Sequence, residues 1–581
     1  MKTAFPNPRT GRSGSALLMT MVMVGIALLT VAAALAYCAT NARLNYRSNQ
    51  YHSAVAAAEG ATEKVVTMLS RDYLSGGEVQ VTANLDTYRH TTPNSADSSF
   101  WADWQFNDAS GNSGQTYVLP GTTSNYIVLD STYAGLRGYA STYTVVSNAR
   151  ETPAPQDVVA GVMQQLELAR IPIFQFAMYS SGEMEVSCGQ PFTITGPVHA
   201  NGQLYVEPSS VLTFQSDVTA VGDILFQRDP LDTRSPPLGT AIYQGRKDSH
   251  VAAMTLPIGT NNSPSAIREI IEPPPPLESP TSAMGRLRYY NLADMVMVVT
   301  NSGTNTGVAV TSGSFNGFST PVPTNEVNLF ASTLNSFWDA REGKTVLPLD
   351  INVAALAAWS TTNSNVRVAL GSNAVASIYV WDRRTLPGTS LGAVRVSQGT
   401  QLPPRGLTVA SGSPIYVWGH YNQYSSTNLG TANTTTTLPA SLVGDALTVL
   451  SPNWTDANST AAVGSRNATP TTVNAAILAG AVDTTLGFYS GGMENFPRFL
   501  ETWGLANPLT YNGSMVKMFP SLYATNVWGK ANVYAPPKRD WAYDTNFNDP
   551  SKLPPLTPSV LKVIRGLWAT VGPNQTTPPA N

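Results

Sequence analysis

Charged residues are scarce in this chain, at 12% of its 581 residues, about half the usual share. A net charge of −3 leaves no broad basic surface, so we expect no nucleic-acid partner. Two cysteines, Cys38 and Cys188, are too few for a disulfide framework. The polar surface comes instead from Ser, Thr, Asn and Gly, and 45 glycines with 42 prolines are typical of a turn-rich β protein outside the cytoplasm.

The short motifs of common metal and phosphate sites are also missing. No two of the five histidines stand at ligand spacing, and there is no Cys-x-x-Cys or Gly-x4-Gly-Lys-[Ser/Thr] motif. Two charged clusters next to tryptophans are candidate carbohydrate-cleaving sites, Asp382-Arg383-Arg384 and Lys538-Arg539-Asp540. Salt bridges at strand ends account for both more simply. We therefore predict no catalytic, metal or cofactor-binding residues, no cofactor and no enzymatic activity.

One long apolar run is present near the start. Residues 13–42 contain no charge and follow a basic leader with Lys2, Arg9 and Arg12. The run exceeds the ~20 apolar residues that a spanning helix needs, and the basic leader favours a cytoplasmic N-terminus. The sequence predicts a single-pass helix in a bacterial inner membrane, with the body outside the cytoplasm. Its predicted membrane residues are Ser15, Leu18, Val22, Ile26, Leu29 and Leu35.

Helix-like sequence continues beyond the apolar run. Apolar residues recur at steps of three, four and seven, which puts one mostly apolar stripe on a helix. Ser75-Gly76-Gly77 is a plausible end, so a helix over residues 15–72 would be about 87 Å long. Because its upper half is less apolar, we expect it to pack against protein. The predicted packing residues are Leu44, Tyr51, Val55, Ala58, Glu59, Val65 and Leu69.

Other interpretations of the apolar run stay open. Ala34-Leu35-Ala36 matches the cleavage pattern of a secretory signal, although the run is longer than such signals usually are. A lipoprotein signal at Leu35-Ala36-Tyr37-Cys38 is disfavoured by the large tyrosine before the cysteine. A plain signal anchor with a stalk is the simplest alternative to a helix used for assembly.

The N-terminus resembles that of type IV pilin-like proteins. The basic leader ends in Gly14 and the apolar helix follows at once, as in a prepilin leader, and residues 50–66 resemble the segment after the membrane helix of PilX-type minor pilins. The resemblance covers about the first 70 residues. It implies that a prepilin peptidase cuts after Gly14, that Ser15 becomes the new N-terminus, and that the helix packs against other pilins or pseudopilins. Met19 stands where major pilins carry Glu, which favours a minor subunit.

The body is predicted to be α+β and mainly β. Strands are expected at 143–147 and 161–168, packed on the upper helix. From 171 to 214, pieces of three to six residues alternate with Gly, Pro and Asn turns, which suits β-solenoid-like rungs, with a β-sandwich as the alternative. Helices are expected in two pieces over 330–358 with Asp350 as a cap, at 496–503 and at 561–568, and Val366-Arg367-Val368 is expected to be a strand.

These patterns divide the chain into seven predicted segments. They are a leader (1–14), a membrane and packing helix (15–75), a pilin-like β region (76–170), a short-strand β region (171–265), a Pro-rich connector with a helical piece (266–345), a solenoid-like domain (346–535) and a wrapping tail (536–581).

The favoured function is a minor pilin or pseudopilin of a type IV pilus or type II secretion-type filament. It would display its β-rich domain for adhesion to a surface glycan or for contact with a protein. The alternative is an envelope-anchored β-solenoid protein that binds or degrades polysaccharide.

Overall fold

A computed structural model shows an α+β chain that is mainly β, with a long apolar N-terminal helix followed by a large β-rich body. Both features agree with the prediction. The predicted leader, including Gly14, lies outside the described residues. The structure describes residues 15–121, 125–129, 135–153, 157–235, 239–302, 305–315, 321–526, 528–529 and 532–577.

The first helix dominates the helical content. It spans 69 residues and is interrupted at Gly77, whose φ of 69° suits a residue without a Cβ. The interruption falls at the predicted helix end, and helical structure then resumes to Ala83. The α-helices are α1 (Ser15–Ala83), α2 (Leu85–Arg89), α3 (Pro264–Arg268), α4 (Tyr289–Leu292), α5 (Thr324–Val327), α6 (Val353–Thr362) and α7 (Ser364–Ala369). Short 3-10 helices occupy Ser99–Asp103, Ile173–Gln175, Glu269–Ile271, Ser426–Asn428, Asp456–Asn458, Val463–Ser465, Met493–Asn495, Thr545–Asn548 and Pro550–Lys552.

Most strands are short, because turn residues follow each other closely. In the first part of the chain they are β1 (Trp104–Asn107), β2 (Tyr117–Leu119), β3 (Asn125–Val128), β4 (Arg137–Glu151), β5 (Ala160–Pro172), β6 (Met178–Ser180), β7 (Met184–Val186), β8 (Phe192–Ile194), β9 (Val198–Ala200), β10 (Leu204–Val206), β11 (Val211–Phe214), β12 (Val218–Ala220), β13 (Ile224–Leu225), β14 (Thr240–Tyr243) and β15 (Lys247–Asp248). Further on they are β16 (Met295–Ser302), β17 (Asn305–Thr311), β18 (Ala331–Ser332), β19 (Phe337–Asp339), β20 (Lys344–Asn352), β21 (Ser377–Asp382), β22 (Ser390–Gly399), β23 (Leu407–Ser411), β24 (Ile415–Tyr421), β25 (Ala440–Gly444), β26 (Leu447–Leu450), β27 (Thr471–Ala481), β28 (Pro497–Phe499), β29 (Thr502–Pro520), β30 (Ala535–Tyr543) and β31 (Ser559–Val571).

An antiparallel sheet lies next to the first helix. Its order is β1-β4-β5-β31, and β2 and β3 also pair with β4. The strands predicted at 143–147 and 161–168 are confirmed, since they lie within β4 and β5. β31 pairs with the other edge of β5, so a strand from late in the chain completes this sheet.

Short parallel strands build the next region. β7, β10 and β13 form one ladder, β8, β11 and β14 a second, and β6, β9, β12 and β15 a third. The register places Met178, Val198 and Val218 in line, and each is at most 2% exposed. The short strands predicted between turns over residues 171–214 are confirmed by β7 to β11.

The same pattern continues in the later part of the chain. β21, β23, β25, β27 and β29 pair in parallel, and β20, β22, β24, β26 and β28 form a neighbouring parallel ladder. β29 then pairs with β6 through Met515 and Met178. The two short-strand regions, which lie far apart in sequence, therefore share one continuous ladder and one apolar core.

Several local predictions are wrong. The first piece of the predicted helical stretch is wrong, since residues 330–352 hold β18, β19 and β20, whereas α6 confirms a helix at the end of the stretch. Its cap is Asn352, whose side chain accepts from the Ala355 N–H, while Asp350 pairs with Arg395. The predicted strand Val366-Arg367-Val368 lies in α7, because Asn363 caps a helix there.

Two predicted helices are strands. The piece expected at 496–503 contains β28 and the start of β29, and the piece expected at 561–568 lies within β31. In both cases a parallel or antiparallel neighbour from a distant part of the chain supplies the backbone partners. Such pairing overrides a local helical pattern.

Candidate functional site

The first half of α1 stands clear of the body. Residues 15–49 are exposed apart from Gly25 and Asn41, which are half-buried, and at 1.5 Å per residue this part is about 52 Å long. Within the described residues, α1 is the one helix long and apolar enough to cross a membrane. The exposed large apolar side chains of residues 15–51 are Leu17, Leu18, Met19, Met21, Val22, Met23, Val24, Ile26, Leu28, Leu29, Val31, Leu35, Tyr37, Leu44, Tyr46 and Tyr51. A continuous apolar surface of this size needs lipid or protein cover.

The second half of α1 lies on the antiparallel sheet. Ala57, Ala58 and Ala61 are at most 2% exposed and pack with Phe106 and Val162, because small side chains let the helix approach the strands closely. Farther along, the apolar contact consists of Val65, Val66, Leu69, Tyr73, Tyr143, Val145, Leu166, Leu168 and Leu561. This contact confirms the predicted packing of strands on the upper helix.

Polar contacts fix the position of the helix on the sheet. Gln164 Nε2, on β5, donates to Thr62 Oγ1 at 3.1 Å and to Glu63 Oε1 at 2.9 Å. Arg565, on β31, forms a two-nitrogen ion pair with the Glu63 carboxylate. The hydrogen bond from Arg565 outweighs burial and lowers the pKa of Glu63. α1 is therefore held to two strands at once.

A second polar network lies near the C-terminal end of α1. Asp72 Oδ2 accepts from Asn84 Nδ2 and from Tyr88 Oη, both at 2.8 Å. Burial raises the pKa of Asp72, but these hydrogen bonds outweigh it, so the pKa lies below its ordinary value. The network joins α1 to α2 across the interruption at Gly77.

The predicted residues of α1 separate into two groups. Ser15 begins the helix, and the predicted membrane residues Leu18, Val22, Ile26, Leu29 and Leu35 are all exposed. Leu44 and Tyr51, predicted to pack, are exposed too, while Val55 and Glu59 are half-buried. Ala58, Val65 and Leu69 are fully buried against the body. Gln164 and Arg565 were missed, because no local pattern marks residues that contact the helix from distant strands.

The two charged clusters form internal ion pairs. Arg384 pairs with Asp382 at 2.6 Å, and both side chains are buried. Lys538 pairs with Asp540 at 2.9 Å, while Arg539 turns away and donates to Asn495 Oδ1. Salt bridges of this kind are the simpler explanation offered by the sequence.

A serine motif that the sequence reasoning missed is present at Gly388-Thr389-Ser390-Leu391-Gly392. It matches Gly-x-Ser-x-Gly, which in hydrolases forms a sharp turn between a strand and a helix. Here Ser390 begins β22 after a turn, so a strand follows in place of a helix. The described residues also contain no group of three or more His, Cys, Asp or Glu side chains placed to hold a metal ion.

His199 is a buried residue of the parallel ladders. Its Nδ1 lies 2.8 Å from Thr219 Oγ1 and its Nε2 lies 3.0 Å from Asn201 Oδ1, while the ring stacks on Tyr179. Desolvation lowers the pKa of His199 from 6.5 to about 4. This neutral imidazole therefore supports the ladder.

We expect His199 to make the body sensitive to acid. The pKa of His199 is lower in the folded state than in the unfolded state, so protons bind the unfolded state first as the pH falls. The stabilisation by neutral His199 is complete above pH 6.5, and the unfolding free energy falls by about 3 kcal/mol as the pH approaches 4. The measurement is urea unfolding of wild type and His199→Gln at pH 7.5 and pH 4. The difference between the two proteins should shrink or reverse at pH 4, and an equal difference at both pH values would contradict the assignment.

No family model matches the chain, and no curated protein matches it. Among solved structures, the chain is similar to the crystal structure of the competence-associated pilin ComZ from Thermus thermophilus, with 11% identity and a TM-score of 0.27, over 90% of this chain and 98% of that one. Similarity at this level does not establish a common fold.

Proposed function

We propose that this chain is a pilin-like filament subunit. Its helix α1 would wait in the inner membrane with the N-terminus in the cytoplasm, and would later pack against the helices of other pilins or pseudopilins. The body would then be displayed outside the cytoplasm for adhesion or contact with a partner. A minor role in a type IV pilus or a type II secretion-type filament suits so large a body, which would hinder close packing along a fibre.

The observation that carries the proposal is the division of α1. About 52 Å of exposed apolar helix continues without a break into a half that is fixed on the sheet by Gln164 and Arg565. A rigid connection of this kind would transmit the position of the body to the helix. This rigid connection argues against a secretory signal that is removed. Cleavage after Ala36 would cut the apolar segment away from the body and leave an exposed helix that no longer inserts into the membrane.

The short parallel ladders favour a solenoid-like arrangement of the body rather than a β-sandwich. Sandwich sheets of the usual kind are antiparallel, whereas β6, β9 and β12 pair in parallel at regular spacing along the chain. Stacked rungs present a long side surface, which is the surface that a displayed subunit would offer to a glycan or protein ligand.

Processing after Gly14 tests the proposal. Co-expression with a prepilin peptidase should give a mature chain that starts at Ser15, because the peptidase of this family cuts after the glycine. Gly14→Ala should block the cut, and Gly11→Ala, the other leader glycine, is the matched control and should leave it intact. N-terminal sequencing and intact mass read the result.

Each other outcome contradicts the proposal. A mature chain that starts at Tyr37 would show a secretory signal and would remove the membrane helix. An unprocessed chain in both the wild type and Gly14→Ala would favour the signal anchor. In that case the alternative, an envelope-anchored protein that binds or degrades polysaccharide, would account better for the ladders.

A further inference from the structure

A cleft of about 480 Å³ opens on the β-rich body, within the size range of small-ligand sites. It lies between the turns after β7 and β10, Arg234, and the stretches 489–495, 528–529 and 532–539. These parts are far apart in sequence, so no local motif marks the cleft. Neither α1 nor its sheet contributes a lining residue.

Aromatic side chains form one wall of the cleft. The rings of Trp528 and Tyr489 meet edge to face, with centroids 5.3 Å apart. Trp528 Nε1 donates to Tyr534 Oη at 2.7 Å. A Cβ added at Gly491 would lie 2.9 Å from the Trp528 ring, so the ring rests against the backbone there. Trp528 is therefore held in place while still half-exposed to the cleft.

Polar groups behind the aromatic wall are fixed by each other. Asn495 Oδ1 accepts from Tyr534 Oη at 2.9 Å and from Arg539 Nη2 at 2.7 Å. The buried Glu494 carboxylate accepts from the Ser187 N–H at 3.1 Å and from Tyr489 Oη at 3.2 Å. This arrangement exists before any ligand arrives, which reduces the entropy lost on binding.

The charged groups that line the cleft, Arg234, Arg539 and Glu494, each have partners within the protein. Arg234 lies over the Tyr489 ring, 3.4 Å from its centroid, and pairs with Asp232 at 2.7 Å and Glu207 at 3.0 Å. Glu207 and Asp232 are buried, do not line the cleft and also pair with Arg228, so an anionic ligand would have to compete with them for the Arg234 guanidinium. The rim adds the exposed amides of Gln190 and Asn532, which can both donate to and accept from hydroxyl groups.

We infer that this cleft binds a neutral sugar unit of a glycan. A sugar ring presents an apolar C–H face that suits the Trp528 ring and a border of hydroxyls that suits the amides and the internally paired charged groups of the lining. Presentation of the cleft on a filament rests on the proposed function, whereas sugar binding does not. The proposed function and the inferred sugar binding can fail separately, since the first is tested by processing at the N-terminus and the second by binding at the cleft.

The test uses the full chain, purified in lauryldimethylamine oxide because that detergent has no sugar head group. The probes are tetrasaccharides of β-1,4-linked glucose and N-acetylglucosamine, with a tetragalacturonate as the anionic comparison, measured by calorimetry and saturation-transfer NMR. A neutral tetrasaccharide should bind. Trp528→Ala should weaken it about tenfold, while Trp568→Ala, at an exposed tryptophan of β31, should leave it unchanged.

Gln190→Ala is a second cleft variant that keeps the test valid if Trp528→Ala fails to fold. Gln190 is exposed at the rim, so its loss should leave the fold intact and weaken binding about threefold. The inference is overturned if neither neutral tetrasaccharide binds, if the tetragalacturonate alone binds, or if Trp528→Ala and Gln190→Ala both bind as the wild type does.

Discussion

Replacing Asp445 with alanine is expected to lower the unfolding free energy of the body by about 3–5 kcal/mol. The Asp445 side chain is fully buried, and its Oδ1 accepts from Arg268 Nη1 at 2.7 Å. It also accepts the backbone N–H groups of Leu522, Tyr523 and Ala524 at 2.7–3.2 Å and the Ser521 hydroxyl. One carboxylate therefore joins α3, the start of β26 and the turn after β29.

The expected loss is large because of what remains behind. Without Asp445, the buried Arg268 cation keeps Glu272 and the Gly412 carbonyl but loses its fully buried partner. The N–H groups of Leu522 and Tyr523 lose their acceptor as well, and an under-compensated buried charge is more costly than a lost contact. Denaturant unfolding followed by tryptophan fluorescence gives the number. Asp540→Ala is the matched control, since its pair with Lys538 is partly exposed and should matter by less than about 1 kcal/mol.

A second variant separates charge from packing. Arg268→Met in the Asp445→Ala background should recover part of the loss, because it removes a buried cation whose remaining carboxylate partner, Glu272, is partly exposed. A loss below about 1 kcal/mol for Asp445→Ala, or no recovery in the double variant, would show that the ion pair does not hold these elements together.

Leu29→Arg is expected to impair membrane insertion of α1. Leu29 lies near the middle of the uncharged run and is 72% exposed, so a guanidinium there cannot easily reach either interface. Replacing a leucine by arginine at the centre of a spanning helix costs about 3 kcal/mol on insertion scales, which is roughly a hundredfold in the insertion equilibrium.

Membrane fractionation after carbonate extraction measures this effect. Leu29→Arg should shift the chain from the pellet to the supernatant or to degradation. Ser48→Arg is the matched control, because it adds the same charge beyond the apolar run and should leave the chain in the pellet. Full insertion of Leu29→Arg would mean that this half of the helix is covered by protein before it meets lipid.

The parts of the fold that could be predicted are those with local causes. Strands such as β7 and β8 are bounded by turn residues on both sides, and the uncharged run up to Ala42 defines the exposed helix. β31 and β28 could not be predicted, because their partners β5 and β26 lie elsewhere in the chain. The Val-Arg-Val pattern of residues 366–368 favours a strand, but the cap at Asn363 makes this segment the helix α7.

The candidate site divides in the same way. The exposed apolar residues of α1 follow from the sequence alone, since composition and length determine them. Gln164 and Arg565 depend on the sheet order, and the Trp528 cleft depends on how the ladders stack. A sequence without its relatives gives no signal for contacts of that range.

The pairing of β31 with β5 has a consequence for biogenesis. Glu63 and Arg565, which meet across this part of the molecule, are 502 residues apart. In the proposed orientation the N-terminus stays in the cytoplasm and the residues after the membrane helix cross first, so the sheet that contacts α1 would stay incomplete until almost the whole chain has been translocated. Contacts of such range form slowly, and a nascent subunit therefore spends its synthesis with an open sheet edge. Chaperone protection during export would address that interval.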